Sequence, residues 1–134
     1  MSKRSIKEEK RALDSLVNNP VALTILGLGK ENSGSRIYFS ADMNKIYRVF
    51  QNLKKDFPKI FENVKFDSCC YSSEVQRGID LFIGKGIISR GFDNFERYCL
   101  DKKRIYPLYQ NLSRDKKPVA DELGRRFYNA LDIE

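Results

Sequence analysis

The chain has 134 residues, of which 41% are hydrophobic and 32% are charged. This length favours a single domain over residues 1–134, and the apolar fraction excludes a disordered chain. The 25 Lys and Arg residues outnumber the 18 Asp and Glu residues, and the resulting net charge of +7 favours a polyanionic partner, nucleic acid above all.

The absence of histidine excludes several kinds of site, because no Ser-His-Asp or Cys-His nucleophile and no histidine zinc ligand can form. The three cysteines, Cys69, Cys70 and Cys99, are odd in number and lack a CxxC spacing, so we expect reduced thiols and no metal site. The carboxylates show no grouping suited to a metal-dependent nuclease. We therefore expect neither an enzyme nor a cofactor.

The N-terminal segment MSKRSIKEEKR is charged and has no apolar run behind it, unlike a signal peptide. The longest apolar stretch, from Val21 to Leu28, is too short to cross a bilayer. We therefore expect a cytoplasmic protein that makes no membrane contact.

The first half of the chain alternates helical and loop-like segments. Residues 5–18 keep an approximate helical stripe that ends at Asn18-Asn19-Pro20. The next segment, VALTILGLG, is apolar throughout, and we favour a short buried helix although a strand fits as well. Residues 29–36 form a loop by composition, and residues 37–39 predict a short extended piece.

A strongly periodic segment follows Ser40. Its apolar residues recur at three- and four-residue steps, which predicts a core-facing helix capped by Ser40 and ended by Pro58. Residues 60–66 fit either a short helix or an edge strand. The members of the stripe are Met43, Ile46, Phe50, Leu53 and Phe57.

The segment YSSEVQRGIDLFIGKG, residues 71–86, predicts a capped amphipathic helix. Ser73 and Gln76 have the spacing of a capping box, and Gly84 and Gly86 supply the termination. Its buried stripe is expected to comprise Val75, Ile79, Phe82 and Ile83.

The period changes after Ile87, where three short segments alternate in the manner of strands: GIIS, FERYCLD and RIYPLYQ. Residues 101–104, DKKR, predict the turn between the last two, and Pro107 places the last one at a sheet edge. Residues 113–131 are again helical, with Pro118 in the first turn. The stripe of that helix is Val119, Leu123, Phe127 and Leu131.

This order predicts an α+β, mostly helical fold, similar to a winged helix-turn-helix with additional N- and C-terminal helices. The helix from Ser73 to Gly84 would be the recognition helix, and residues 89–106 the wing. Glu74 and Asp80 weaken that helix as a recognition helix, because carboxylates repel phosphates, whereas the wing is rich in cations. We therefore expect phosphate contacts to outweigh base contacts. The predicted DNA contacts are Ser73, Gln76, Arg77, Arg90, Arg97, Lys102, Lys103 and Arg104.

The stretch FDSCCYSSEVQRGIDLFIGKGIIS also resembles part of the Panacea-type group, which includes SocA-like antitoxins and YwgA-like proteins. Tyr71-Ser72 and the run Phe82-x-Gly84-x-Gly86-Ile87-Ile88 are similar to the end of that group's pattern. Cys69-Cys70 occupies the place of its Gly-Pro pair. The resemblance implies an antitoxin-like or adaptor role, exercised through protein contacts without catalysis.

These observations predict a DNA-binding transcriptional regulator of bacterial, archaeal or viral origin, with double-stranded DNA as its partner. The alternative is a non-catalytic protein-interaction module. A homodimer and a protein partner are both compatible with the sequence.

Overall fold

The computed structural model describes residues 19–30, 35–90 and 97–131. Within these ranges the fold is α+β and mostly helical, as predicted. The expected helix over residues 5–18 and the connection 91–96 lie outside the described residues. The elements in chain order are α1 (Pro20–Leu28), β1 (Arg36–Ser40), α2 (Met43–Asp56), α3 (Ser73–Gly84), β2 (Ile88–Arg90), β3 (Arg97–Asp101), α4 (Lys102–Gln110) and α5 (Lys116–Ala130).

The three strands form an antiparallel sheet in the order β1-β3-β2. Arg36 pairs with Asp101 and Ser40 with Arg97, so β1 runs along the whole of β3. Because side chains alternate along a strand, Ile37, Phe39, Tyr98 and Leu100 share the face that is buried in the core. The opposite face, called here the outer sheet face, carries Arg36, Tyr38, Ser40, Ser89, Arg97, Cys99 and Asp101.

Helix α1 lies at the centre of the core, and eight of its nine residues are buried. This burial explains why its sequence shows no periodicity, because a helix covered on all sides needs no polar face. Asn19 caps the helix: its Oδ1 accepts hydrogen bonds from the backbone N–H groups of Val21 and Ala22, at 3.0 and 3.3 Å. The preference for a helix over a strand is therefore confirmed.

Two glycines allow α1 and α5 to cross in backbone contact. A Cβ at Gly27 would overlap the carbonyl oxygen of Ala120, and a Cβ at Gly124 would overlap the backbone of Gly27. On the other side of α1, a Cβ at Gly78 of α3 would overlap the Val21 side chain. Glycine is thus required where α1 meets both neighbours, because any larger residue would separate the helices.

Aromatic rings fill the space between the sheet and the helices. Phe127 of α5 lies with its ring centroid 5.5 Å from that of Phe50 and 5.7 Å from that of Phe39. Phe61 continues the cluster, 6.2 Å from Phe50. Such aromatic pairs bury large apolar areas in fixed geometries, so they hold α2, α5 and β1 in register.

Most of the predicted core is confirmed. Ile46, Phe50, Leu53, Val75, Ile79, Phe82, Leu123 and Phe127 are buried, and Met43, Val119 and Leu131 pack partly buried against them. Ile83 was expected in the buried stripe of α3, yet 38% of it is exposed. It lies near the edge of the apolar stripe, where burial depends on whether a neighbouring element covers it.

The prediction of a strand over residues 104–110 and of a turn at 101–104 is wrong. Asp101 ends β3 and caps α4, because its Oδ1 accepts the backbone N–H of Lys103 at 3.0 Å. Ile105, Tyr109 and Leu112 are buried at helical spacing, so apolar residues that suggest a strand also fit a helix. Pro107 lies inside α4. The range predicted as a wing, residues 89–106, therefore contains parts of β2, β3 and the start of α4, and β1 supplies the third strand of the sheet.

The predicted helix caps are shifted along the chain. Ser72, not Ser73, caps α3, with its Oγ accepting the N–H of Val75 at 3.3 Å. Asp42, not Ser40, caps α2. The Oγ of Ser40 instead accepts the N–H of Asp42 at 3.1 Å. Residues 60–66 are neither helix nor strand but turns and irregular chain that connect α2 to α3.

Substitution of the crossing glycines tests this packing. We expect Gly27→Ala and Gly124→Ala each to lower the free energy of unfolding by at least about 2 kcal/mol, because the methyl group has no room beside the facing backbone. Gly84→Ala is the control, since nothing lies within 4 Å of its Cβ position. Urea denaturation measures the three variants, and equal stabilities would contradict the close crossing.

Candidate nucleic-acid interface

The N-terminal turn of α3 is tied to the connection that precedes it. Glu74 Oε1 accepts the backbone N–H of Lys65 at 2.8 Å, and the Ser73 hydroxyl donates to Glu74 Oε2. These hydrogen bonds, first that of Ser73 and then that of Lys65, hold the pKa of Glu74 below its ordinary value. The hydroxyl of Ser73, a predicted DNA contact, is therefore engaged by the neighbouring carboxylate.

Gln76, the second predicted contact on α3, bridges two helices. Its Oε1 accepts the phenol hydroxyl of Tyr47 on α2 at 3.0 Å, and its Nε2 donates to Asp80 Oδ1 at 3.0 Å. Both ends of the amide thus have protein partners. Gln76 would have to release them before it could pair with an adenine edge.

Arg77 is the exposed cation among the three predicted contacts on α3. The same helix and its C-cap also carry Glu74, Asp80 and Lys85, so two positive charges face two negative ones. The exposed surface of α3 is therefore electrically balanced and gives no strong attraction for a polyanion.

Arg90 and Arg97 occupy the two strand ends that adjoin residues 91–96. The Arg90 guanidinium lies over the Tyr98 ring, 5.0 Å from its centroid, and that of Arg97 lies over Tyr38 at 5.3 Å. Stacking on an aromatic face restrains a guanidinium while leaving its charge intact. Both predicted hairpin arginines are thus held at the end of the β2–β3 hairpin that adjoins its connection.

Lys102, Lys103 and Arg104 do not form a hairpin tip, contrary to the prediction. They make up the first turn of α4, at the end of β3 opposite to Arg97, about 13 Å away along a five-residue strand. Arg104 Nε lies 3.7 Å from Asp101 Oδ2. Lys102 and Lys103 therefore begin α4 at the opposite end of β3 from Arg97, whereas the Arg104 side chain lines the same small cleft as Arg90.

The sequence-based prediction missed a basic cleft on the outer sheet face. This sheet–α2 cleft has a volume of about 480 Å³ and lies between β1, the start of β3, α2 and the end of α5. Lys45 and Arg48 were overlooked because they lie beside the apolar stripe of α2, where charged residues normally mark the solvated side. The polar lining of the sheet–α2 cleft comprises Tyr38, Ser40, Lys45, Arg48, Asn52 and Arg97.

A smaller cleft of about 160 Å³ continues the outer sheet face towards α4, and Tyr38 lines both clefts. A hydrogen bond with the Tyr38 hydroxyl raises the pKa of Arg36 above its ordinary value. The smaller cleft has three cations, Arg36, Arg90 and Arg104, and one acid, Asp101. Positive charge is therefore concentrated on the sheet and not on α3.

No family model matches the chain, and neither a curated protein nor a solved structure matches it. Within the described ranges, no helix is both long and apolar enough to cross a membrane. The same residues contain no cluster of three or more Cys, Asp or Glu side chains able to hold a metal ion. Cys69, Cys70 and Cys99 are free thiols, the first two exposed and the third buried.

The contacts of Glu74 predict a pH-dependent contribution to stability. Because the folded-state pKa is lowered, the contribution is present above the ordinary carboxyl pKa and is lost as the pH falls through the folded-state value. We expect Glu74→Gln to lower the free energy of unfolding by about 0.5 to 1 kcal/mol at pH 7, since the carboxylate is partly exposed. Urea denaturation of the variant and of the wild type at pH 7 and pH 3 measures this difference in the free energy of unfolding.

Glu62→Gln is the matched control, because Glu62 is an exposed carboxylate in the same α2–α3 connection. It should leave stability at pH 7 unchanged. A Glu74→Gln deficit of equal size at both pH values would show that the charge of Glu74 does not hold the helix terminus.

Proposed function

We propose that the protein is a winged-helix domain that binds double-stranded DNA and regulates transcription. The order helix, strand, helix, helix, strand, strand supports this, together with the sheet order β1-β3-β2. In this arrangement α3 is the recognition helix, and the β2–β3 hairpin is the wing that lies beside it.

The observation that carries the proposal is the placement of arginines around this helix–hairpin unit. Arg77 is exposed on α3, and Arg90 and Arg97 stand at the two ends of the hairpin connection. Helix α3 runs into β2 through only three residues, so the helix and the start of the hairpin at Ile88 are close neighbours, and Arg90 lies two residues further along β2. A phosphate backbone following the hairpin would meet Arg90 and Arg97 while a groove faces Arg77.

The balanced charge of α3 weakens the contacts that this helix can make in a groove, so the phosphate contacts of the hairpin carry more of the binding. Glu74 and Asp80 would approach the phosphates of a groove, which costs electrostatic energy that Arg77 and Lys85 offset only in part. Gln76 is already bonded to Tyr47 and Asp80. We therefore assign most of the affinity to the hairpin arginines and a limited share of the specificity to Arg77.

The salt dependence of binding to a random duplex tests the proposal. Arg90→Gln should reduce the slope of log K against log salt by about one, because it loses a phosphate contact and the release of its counterion. Arg77→Gln should leave the slope on a random duplex nearly unchanged, because Arg77 faces the groove. Fluorescence anisotropy with a labelled duplex, titrated at several NaCl concentrations, measures the slope.

Arg114→Gln is the control, since Arg114 lies exposed in the connection between α4 and α5. Its slope should equal that of the wild type. Lys103→Gln at the far end of β3 should also leave the slope unchanged. Absence of binding to any duplex at low salt would refute the proposed function.

A second candidate function, docking of a protein partner, is favoured by one observation. Tyr71 and Ile83 are exposed by 46% and 38%, and they lie before and within α3, whose surface charges balance. A neutral helix face with apolar side chains suits a protein partner better than a polyanion. Co-purification of one protein that Ile83→Asp abolishes, with no duplex binding, would support this antitoxin-like or adaptor role.

A further inference from the structure

Residues 67–71, called here the dithiol loop, present two adjacent cysteines to solvent just before α3. Cys69 and Cys70 are both exposed free thiols, whereas Cys99 is buried in the sheet. Cysteine is among the residue types that are most often buried, so two exposed cysteines in succession are unusual for side chains that only fill space. The proposed DNA contacts use neither thiol.

Asp67 closes the backbone of the dithiol loop. Its N–H donates to the Tyr71 carbonyl oxygen at 2.9 Å, and its own carbonyl oxygen accepts the Cys70 N–H at 3.0 Å. One oxygen of its carboxylate also accepts the N–H groups of Cys69 and Tyr71, both at 2.9 Å. The Tyr71 ring packs on Tyr47 of α2, with 5.6 Å between the ring centroids. The loop is therefore fixed by contacts that involve no thiol.

Cys70 adopts a backbone conformation that normally belongs to glycine. Its φ is +67°, and among the described residues it is the one non-glycine residue with a positive φ. A side chain in this left-handed region raises the energy of the folded backbone, which glycine would avoid. The same conformation breaks the alternation that points adjacent side chains of an extended chain in opposite directions. The loop therefore permits both thiols to approach one bound atom.

The number of donors restricts what the two thiols can bind. Structural zinc takes four ligands, and the described ranges contain no group of three or more Cys, Asp or Glu side chains able to hold a metal ion. A disulfide between adjacent cysteines is strained, because their Cα atoms are only about 3.8 Å apart, closer than disulfides usually span. A single atom bound to both sulfurs enlarges the ring by one member and relieves this strain.

Trivalent arsenic with one organic substituent matches this donor set. It has two positions left for ligands, and soft atoms prefer sulfur over oxygen or nitrogen. Its pyramidal geometry holds two sulfurs on the same side at an angle near a right angle, which suits thiols on adjacent residues. Two-coordinate Cu(I), in contrast, holds two sulfurs in a straight line.

We propose that the dithiol loop is a binding site for trivalent arsenicals with one organic substituent, held by the sulfur atoms of Cys69 and Cys70. The hydrated arsenical carries two hydroxyl groups on arsenic and exchanges both for sulfur. Two As–S bonds form, two As–O bonds break, and each thiol proton leaves with a hydroxide as water. Arsenic stays trivalent, so the reaction needs no oxidant or reductant. The site requires no DNA and is independent of the proposed function.

Phenylarsine oxide tests the site in the whole chain, reduced beforehand with a phosphine that carries no thiol. In the folded wild type, Cys69 and Cys70 should react with a chromogenic aromatic disulfide, and the buried Cys99 should not. One equivalent of phenylarsine oxide should block both thiols. Dimercaptopropanol should restore them, whereas mercaptoethanol at the same thiol concentration should not, because only a second chelating dithiol competes with the first.

Single substitutions separate chelation from ordinary thiol reactivity. Cys69→Ser and Cys70→Gly should each weaken the binding of phenylarsine oxide at least about 100-fold in isothermal titration calorimetry, because the adjacent thiol no longer supplies the second As–S bond at high effective concentration. Cys99→Ala is the matched control and should bind as the wild type does. Because Cys70→Gly places glycine at a positive φ, its melting temperature should equal or exceed that of the wild type, which separates lost binding from lost folding.

Substitution of Asp67 tests whether the loop is preorganised for the ligand. Asp67→Ala removes the acceptor of two N–H groups and should weaken binding roughly fivefold, since the loop must then be ordered on binding. Asp67→Asn keeps an oxygen acceptor and should bind nearly as the wild type does. Equal binding by Asp67→Ala would show that adjacent thiols alone suffice, and the proposal fails. It also fails if either single-cysteine variant binds like the wild type, or if phenylarsine oxide leaves both thiols reactive.

Discussion

The backbone contact between α1 and α5 at Gly27 and Gly124 is the constraint on which the rest of the structure depends. Helix α1 is buried on every side, and α5 can cover it only where neither helix carries a side chain. On its opposite side α1 meets α3 at Gly78. The position of α3 relative to the sheet therefore depends on how closely α3 and α5 approach α1.

A polar network joins α4, α5 and the end of α1 at the surface of this packing. The Tyr109 hydroxyl of α4 donates to Asp121 Oδ1 of α5 at 2.6 Å, and Lys30, just after α1, reaches Asp121 Oδ2 at 3.1 Å. Burial, and then the hydrogen bond to Asp121, raise the pKa of Tyr109, while Asp121 raises that of Lys30. One carboxylate thus joins α4, α5 and the end of α1, which keeps α4 against the core despite Pro107.

The distribution of charge separates two surfaces with different properties. Arg125 and Arg126 of α5 and Lys30 at the end of α1 are paired with Glu122, Asp56 and Asp121, so these three cations contribute little attraction for an anion. Among the described residues, the linings of the two clefts on the outer sheet face contain three cations each, against a single acid, Asp101. The exposed surface of α3 has no net charge, because its two positive and two negative side chains balance. An anionic partner is therefore attracted mainly to the sheet and to Arg90 and Arg97 beside the hairpin connection.

The sequence alone determined the elements whose signals are local. The helices α2, α3 and α5 could be predicted because their apolar residues recur with the helical period, and the strands around Ile88 and Tyr98 because the helical period ends there in short apolar runs. The segment from Lys102 to Gln110 could not, because Asp101 suits either a turn or a helix cap, and its apolar spacing fits both structures.

Only the tertiary structure decided which side chains share a surface. Ser73 and Gln76 had suitable types for DNA contacts, yet their partners, Glu74 and Tyr47, engage them in the folded chain. The sheet–α2 cleft joins Tyr38, Arg48 and Arg97, which are distant in sequence and meet because β1 pairs with β3 beside α2. Periodicity reports which way a side chain faces within its own element, whereas strand pairing and helix crossings determine what it faces.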